Sequence, residues 1–188
     1  AIRNQLARGE RFHGLGPSAF AATGVLAILA AIGQARWMAG ADPAHFLTLW
    51  LAVAAVSAVV IGAEMFDRSH RLHSALADEM IMAAVLQFLP AAGAGALITA
   101  VLFRFAPQCL WLTPGLWQIT FGLGVFASCR FLPRGLLLVG GWYVASGLAC
   151  LAYAQGGHAF SPWTMGVAFG VGQLLVAGVL RFAGETDD

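Results

Sequence analysis

Four closely spaced side chains near the middle of the sequence have the chemistry to bind a metal ion. They are Glu64, Asp67, His70 and His73, which fall within about three helical turns. In a helix each step of three residues rotates by about 60°, so the first three would fan across one side. Imidazole and carboxylate ligands suit Zn²⁺, Mn²⁺ or non-haem iron, and His13 would add a ligand from the same side of a membrane. One hypothesis is therefore a membrane metalloenzyme with a divalent metal.

The same segment also has the pattern of a solvated connector. Arg68 follows Glu64 by four residues and Arg71 follows Asp67 by four, which is the favourable order for exposed helical ion pairs. The segment contains neither the His-Glu-x-x-His sequence of metalloproteases nor the Glu-x-x-His sequence of di-iron proteins. We favour the connector, so no cofactor is strongly implied and its identity stays unknown.

A second group of candidates lies inside apolar stretches, where polar side chains are rare. The candidate ligand-binding residues are Gln87, Trp117, Gln118 and Gln173. An amide without a hydrogen-bond partner is costly in hydrocarbon, so Gln173, which lies near the middle of the bilayer, must face another polar group. The simpler interpretation is hydrogen bonding between helices, worth about 0.6 kcal/mol on average. The functional interpretation is a small polar pocket formed with Gln118 and Gln173.

The composition indicates the class of protein that must position these groups. Hydrophobic residues make up 60% of the 188 residues and charged residues 10%, whereas about 25% charge is usual in soluble domains. All ten basic residues are arginine, which excludes Schiff-base chemistry on a lysine and a lysine-bearing phosphate loop. The net charge of +1 offers no steering field for nucleic acid. We expect an integral membrane protein without an evident catalytic motif.

Six stretches are long and apolar enough to cross a bilayer, which requires about 20 residues for about 30 Å of hydrocarbon. The predicted spans are residues 18–34, 43–65, 80–103, 110–128, 135–154 and 163–180. The fold class is therefore an all-α integral membrane protein with six transmembrane helices. We expect a single transmembrane domain over residues 1–188.

The placement of arginine predicts the orientation, because cytoplasmic loops carry an excess of basic residues. With both termini in the cytoplasm, only Arg36 and Arg104 lie outside, and the other eight arginines lie inside. Boundary tryptophans would then lie at the outer surface, namely Trp37, Trp111 and Trp163. The predicted location is the inner membrane of a bacterial cell. A cleaved signal peptide ending near 39–41 is a competing interpretation of the first span, and a disulfide between Cys109 and Cys150 is left open.

The second half of the chain contains an internal repeat. The sequence Thr113-Pro114 precedes a Phe-Gly-Leu-Gly tetrad at 121–124, and Ser161-Pro162 precedes a Phe-Gly-Val-Gly tetrad at 169–172 with the same spacing. We predict three helical hairpins over about 16–66, 80–130 and 131–182, with a cytoplasmic connector over about 67–79. Asp42, Thr113 and Ser161 are expected to cap the second helix of each hairpin.

Three classes of function are compatible with this pattern. The first is a non-catalytic membrane module that senses or binds a small or apolar ligand, or that acts as a partner subunit. The second is a small-molecule or ion transporter or channel, and the third is the metalloenzyme described above. We favour the first, and we expect the lipid bilayer, a membrane or cytoplasmic protein, or a second copy of the chain as partners, and no nucleic acid.

Overall fold

The computed structural model describes residues 16–38, 42–72, 75–129 and 132–185, and these residues are helical or lie in short connections. Within these residues, six α-helices follow one another: α1 Pro17–Trp37, α2 Pro43–Leu72, α3 Ala75–Phe105, α4 Thr113–Ser128, α5 Leu136–Tyr153 and α6 Pro162–Glu185. Two described 3-10 helices, Pro107–Leu112 and Gly156–Phe160, precede α4 and α6. Six helices of the described residues are long and apolar enough to cross a membrane. This finding confirms the predicted all-α class and the predicted number of membrane-spanning stretches.

Helices α2 and α3 are longer than the spans predicted for them, with 30 and 31 residues. Their backbones continue through most of the predicted connector over 67–79, because α2 ends at Leu72 and α3 begins at Ala75. Helix α3 also runs without interruption through Pro90, which is exposed. Both helices are therefore longer than a bilayer crossing requires.

The predicted N-cap is present at the start of α2 but absent at the start of α4. The Asp42 carboxylate accepts a hydrogen bond from the Ala44 backbone amide at 3.4 Å, as predicted. Thr113 does not cap α4, because the preceding 3-10 helix runs directly into that helix and leaves Thr113 already helical at φ −54° and ψ −47°. At the start of α6, the Thr164 hydroxyl and amide both donate to the Ser161 carbonyl oxygen, at 2.7 and 3.1 Å.

Neighbouring helices are antiparallel, and their order across the bundle is α2, α1, α6, α5, α4, α3. The most extensive packing is of α1 against α6, of α4 against α5 and of α3 against α4. The two 3-10 helices pack together at one end of the bundle, which we call the capped end. Helix α1 ends there at Trp37, and Trp111 and Trp163 lie at the same end. The predicted boundary tryptophans therefore share one end of the molecule.

Close approach of α4 to α5 depends on glycine. A methyl group placed on Gly147 would lie 2.7 Å from the Gly115 carbonyl oxygen, and one placed on Gly122 would lie 2.9 Å from the Gly140 carbonyl oxygen. At both points the glycine faces a backbone carbonyl oxygen of the other helix. A backbone atom cannot rotate away as a flexible side chain could, so only glycine allows this close approach.

The packing of α1 against α6 is of the same kind, and it uses a small-residue face on α6 formed by Gly166 and Gly170, four residues apart. A side-chain carbon on Gly166 would collide with Ala31, and one on Gly24 would lie 3.0 Å from the Gly170 carbonyl oxygen. Small residues allow helices to approach closely where lipid supplies no hydrophobic driving force.

An aromatic cluster fills the centre of the bundle. The rings of Phe121 and Phe169 pack edge to face with centroids 5.3 Å apart, and Tyr143 contacts both. Phe88 extends the cluster to α3, with its centroid 5.0 Å from that of Phe121. The predicted repeat makes Phe121 and Phe169 equivalent, but the repeat itself stays a prediction.

Candidate functional site

A buried amide joins three elements at the capped end. The side-chain nitrogen of Gln34 in α1 donates to the Phe160 carbonyl oxygen at 3.3 Å. The indole nitrogen of Trp50 in α2 donates to the Gln34 amide oxygen at 3.0 Å. Gln34 is 5% exposed. The sequence analysis does not single out Gln34, which is the last residue of the predicted first span.

Gln118 is fully buried where α4 meets α6. Its side-chain nitrogen donates to the Thr164 carbonyl oxygen at 3.0 Å. Within the described residues its amide oxygen has no hydrogen-bond partner, and the same holds for the hydroxyls of Thr113 and Tyr143. Gln118 therefore makes one of the helix-to-helix bonds that the simpler interpretation expects, and it keeps one acceptor unused.

Gln173 lies deeper, where α1, α5 and α6 meet. The Thr23 hydroxyl lies 3.5 Å from the Gln173 amide oxygen and also donates to the Phe20 carbonyl oxygen at 2.9 Å. Tyr143 lies beside Gln173, and its phenol packs against Gly172 so closely that a side chain at Gly172 would collide with the ring. Gln173 therefore has polar neighbours on two other helices.

The structure does not bring Gln118 and Gln173 into one pocket. Gln118 donates a hydrogen bond to Thr164 of α6. Gln173 lies nine residues further along α6, which is a rise of about 13.5 Å. The two amides thus lie at different depths, each with its own partner. Binding of a ligand by either one stays a prediction.

The remaining two ligand candidates are on the α3 side of the bundle. The Trp117 indole nitrogen donates to the Thr99 hydroxyl at 2.7 Å, and that hydroxyl donates to the Gly95 carbonyl oxygen at 2.8 Å. Trp117 therefore ties α4 to α3. Gln87 is exposed on α3 and lies apart from the other three candidates.

The candidate metal ligands fall mostly outside the described part of the chain. Glu64 accepts a hydrogen bond from the Ser18 hydroxyl at 2.8 Å, and Asp67 is exposed. His13 and His73 are outside the described residues, as is the side chain of His70. Among the side chains that the structure describes, no group of three or more His, Cys, Asp or Glu is placed to hold a metal ion. The metal site stays a prediction. The three cysteines are free, Cys109 and Cys150 among them.

The junction between α2 and α3 differs from the two glycine-lined junctions. These consecutive helices make little direct contact. Toward the capped end, both helices contribute to one buried cluster, which contains Phe46 and Trp50 of α2 and against which Leu102 of α3 packs. Side chains added at Gly62 of α2 or Gly93 of α3 would meet no atom within 4 Å. Within the described residues, the small residues of this junction are therefore unpacked.

Each of these two helices carries a stripe of small exposed residues spaced by four. The stripe on α2 is Ala54, Ala58 and Gly62, and the stripe on α3 is Ala92, Ala96 and Ala100. We call these the α2 and α3 stripes. A stripe of this spacing is typical of a contact between transmembrane helices. The comparison of the chain with protein-family models, with curated proteins and with solved structures gives no match.

Proposed function

We propose that this chain is a non-catalytic subunit of a membrane assembly and that it binds a transmembrane helix of its partner against α2 and α3. The observation that carries the proposal is the contrast between junctions. Small residues are packed against backbone between α4 and α5 and between α1 and α6, whereas side chains added at Gly62 on α2 or Gly93 on α3 would meet no atom of the described residues within 4 Å. A partner helix would give the α2 and α3 stripes the contact that the other small residues have within the chain.

The chemistry of the exposed surface supports the same proposal. Association between helices in lipid depends on close packing of small residues and on polar contacts, since lipid chains are as apolar as the helices themselves. The proposed orientation keeps the arginine-rich end of the multi-pass bundle in the cytoplasm and the capped end outside.

A photo-crosslinking experiment in the native membrane tests the proposal. A benzophenone amino acid replaces Ala58 in the α2 stripe, Ala96 in the α3 stripe or, as the control, Leu148. Leu148 is 56% exposed on α5, away from the proposed contact. We expect a protein adduct of discrete mass at Ala58 and Ala96 and none at Leu148.

A pair of matched variants distinguishes packing from chance proximity. Gly62→Leu together with Gly93→Leu should lower the adduct yield about tenfold or more, since overpacking a helix contact costs about 1–3 kcal/mol. Gly141→Leu on α5 also adds a side chain where no atom lies within 4 Å, and it should leave the yield unchanged. An adduct of twice the chain's mass would identify the partner as a second copy. Equal adducts at Ala58, Ala96 and Leu148, or none at all, would contradict the proposal.

A further inference from the structure

A groove of about 460 Å³ lies at the end of the bundle opposite the capped end, on a different part of the molecule from the α2 and α3 stripes. The turn before α5 contributes Pro133 and Gly135, and α6 contributes residues from Leu174 to Ala183. Its walls are almost entirely apolar, and Gly178 leaves open space in the wall, because a side chain added there would meet no atom within 4 Å. The shape and chemistry suit a hydrocarbon chain.

The length of the groove matches one leaflet of a bilayer. From Leu174 to Ala183, α6 rises about 13.5 Å, at 1.5 Å per residue. The hydrocarbon of one leaflet is about half of 30 Å deep. An acyl chain that entered at the membrane surface would therefore reach the middle of the bilayer as it followed α6.

Two arginines are adjacent in the sequence to residues that line the cytoplasmic end of this groove in the proposed orientation. Arg134 lies between the lining residues Pro133 and Gly135, and Arg181 directly precedes the lining residue Phe182. Both side chains are exposed. Guanidinium groups bind phosphate in a fixed, two-pronged geometry, and basic pockets between transmembrane helices bind anionic lipid headgroups.

We propose that this groove binds one acyl chain of an anionic phospholipid, whose phosphate is held by Arg134 and Arg181. Charge complementarity selects the occupant. A zwitterionic lipid would fill the apolar walls as well but would gain less from two guanidinium groups. A free phosphate ester would gain from the arginines but would leave the apolar walls empty. The two parts of the site thus recognise the two parts of one lipid.

Native mass spectrometry of the full chain in detergent tests the site. The delipidated protein is titrated with dioleoylphosphatidylglycerol or with dioleoylphosphatidylcholine, and the bound fraction gives an apparent Kd for each lipid. We expect tighter binding of the anionic lipid. Arg134→Gln and Arg181→Gln should each weaken its binding about fivefold, which is the effect of one basic residue near an anionic membrane surface. Binding of dioleoylphosphatidylcholine should not change.

A filling variant tests the apolar part of the groove. Gly178→Leu should weaken the binding of both lipids, while Gly62→Leu, on the open face of α2, should affect neither. Phe182→Ala gives a second test of the wall if Gly178→Leu does not remain monodisperse. Equal affinity for the two lipids in the unaltered chain would overturn the anionic preference. Unchanged binding after Gly178→Leu, or full competition by glycerol 3-phosphate, would overturn the groove as the acyl-chain site.

Discussion

At the scale of single residues, the cost of an unsatisfied amide in hydrocarbon was enough to predict that Gln173 faces a polar group, but not which one. The same reasoning missed Gln34, which is buried, and Gln87 is exposed. The partners of Gln118 and Gln173 depend on how each helix is rotated about its axis. For Thr113 the prediction from sequence was wrong. A threonine directly before a proline is typical of a helix N-cap, but the preceding 3-10 helix makes Thr113 part of α4.

The Gln34 site permits a residue-scale prediction about stability. Trp50→Phe removes the donor to the Gln34 amide oxygen, and Gln34→Met removes both bonds of the amide with little change in volume. A double-mutant cycle of these substitutions should give a coupling energy of about 0.6 kcal/mol, the average for hydrogen bonds between transmembrane helices. Unfolding in sodium dodecyl sulfate, followed by circular dichroism, measures it.

An exposed tryptophan at the same end provides the control for this cycle. Trp163 is half-exposed at the start of α6, and no hydrogen bond of its indole to another described residue is present. Trp163→Phe combined with Gln34→Met should show no coupling. A coupling of zero between Trp50 and Gln34 would mean that the hydrogen bond does not contribute to stability.

At the scale of helices, hydropathy located the spans but not their packing. Each of the six predicted spans overlaps one of the six described α-helices, because length and apolar composition are properties of each segment alone. The pairing of α1 with α6 was not predictable in this way, since a helix that is apolar all round does not reveal which face lies inward. The four-residue spacing of Gly166 and Gly170 is the one sequence feature that marks the face of α6 packed against α1.

The glycine contacts give a helix-scale prediction. Gly147→Ala places a methyl group 2.7 Å from the Gly115 carbonyl oxygen, which forces α4 and α5 apart. The substitution should lower the free energy of unfolding by about 1–3 kcal/mol, the usual range for overpacking. Gly141→Ala on the same helix meets no atom within 4 Å and should have little effect. Equal stability of the two variants in the same detergent unfolding assay would show that α4 and α5 are not closely packed.

At the scale of the whole molecule, the account depends on lipid surrounding the bundle. Many large apolar side chains are exposed on the chain alone, including Leu29 at 59% on α1 and Leu148 at 56% on α5. Such a surface would aggregate in water, whereas in a bilayer it is the expected outer surface. The composition alone predicted this apolar outer surface. With 10% charged residues, the chain has too few to cover its surface, however the helices pack.

Cysteine accessibility in intact bacterial cells tests this claim most directly. The three native cysteines are replaced by alanine, and single cysteines are introduced at Asp42, Leu29, Leu148 or Arg134. With a membrane-impermeant maleimide, we expect Asp42→Cys to react in intact cells and Arg134→Cys to react only after permeabilisation. Leu29→Cys and Leu148→Cys should react in neither condition, because no water reaches them to support thiolate formation. Rapid labelling of Leu29→Cys and Leu148→Cys before denaturation would show that these side chains face water, and it would contradict the membrane-spanning bundle.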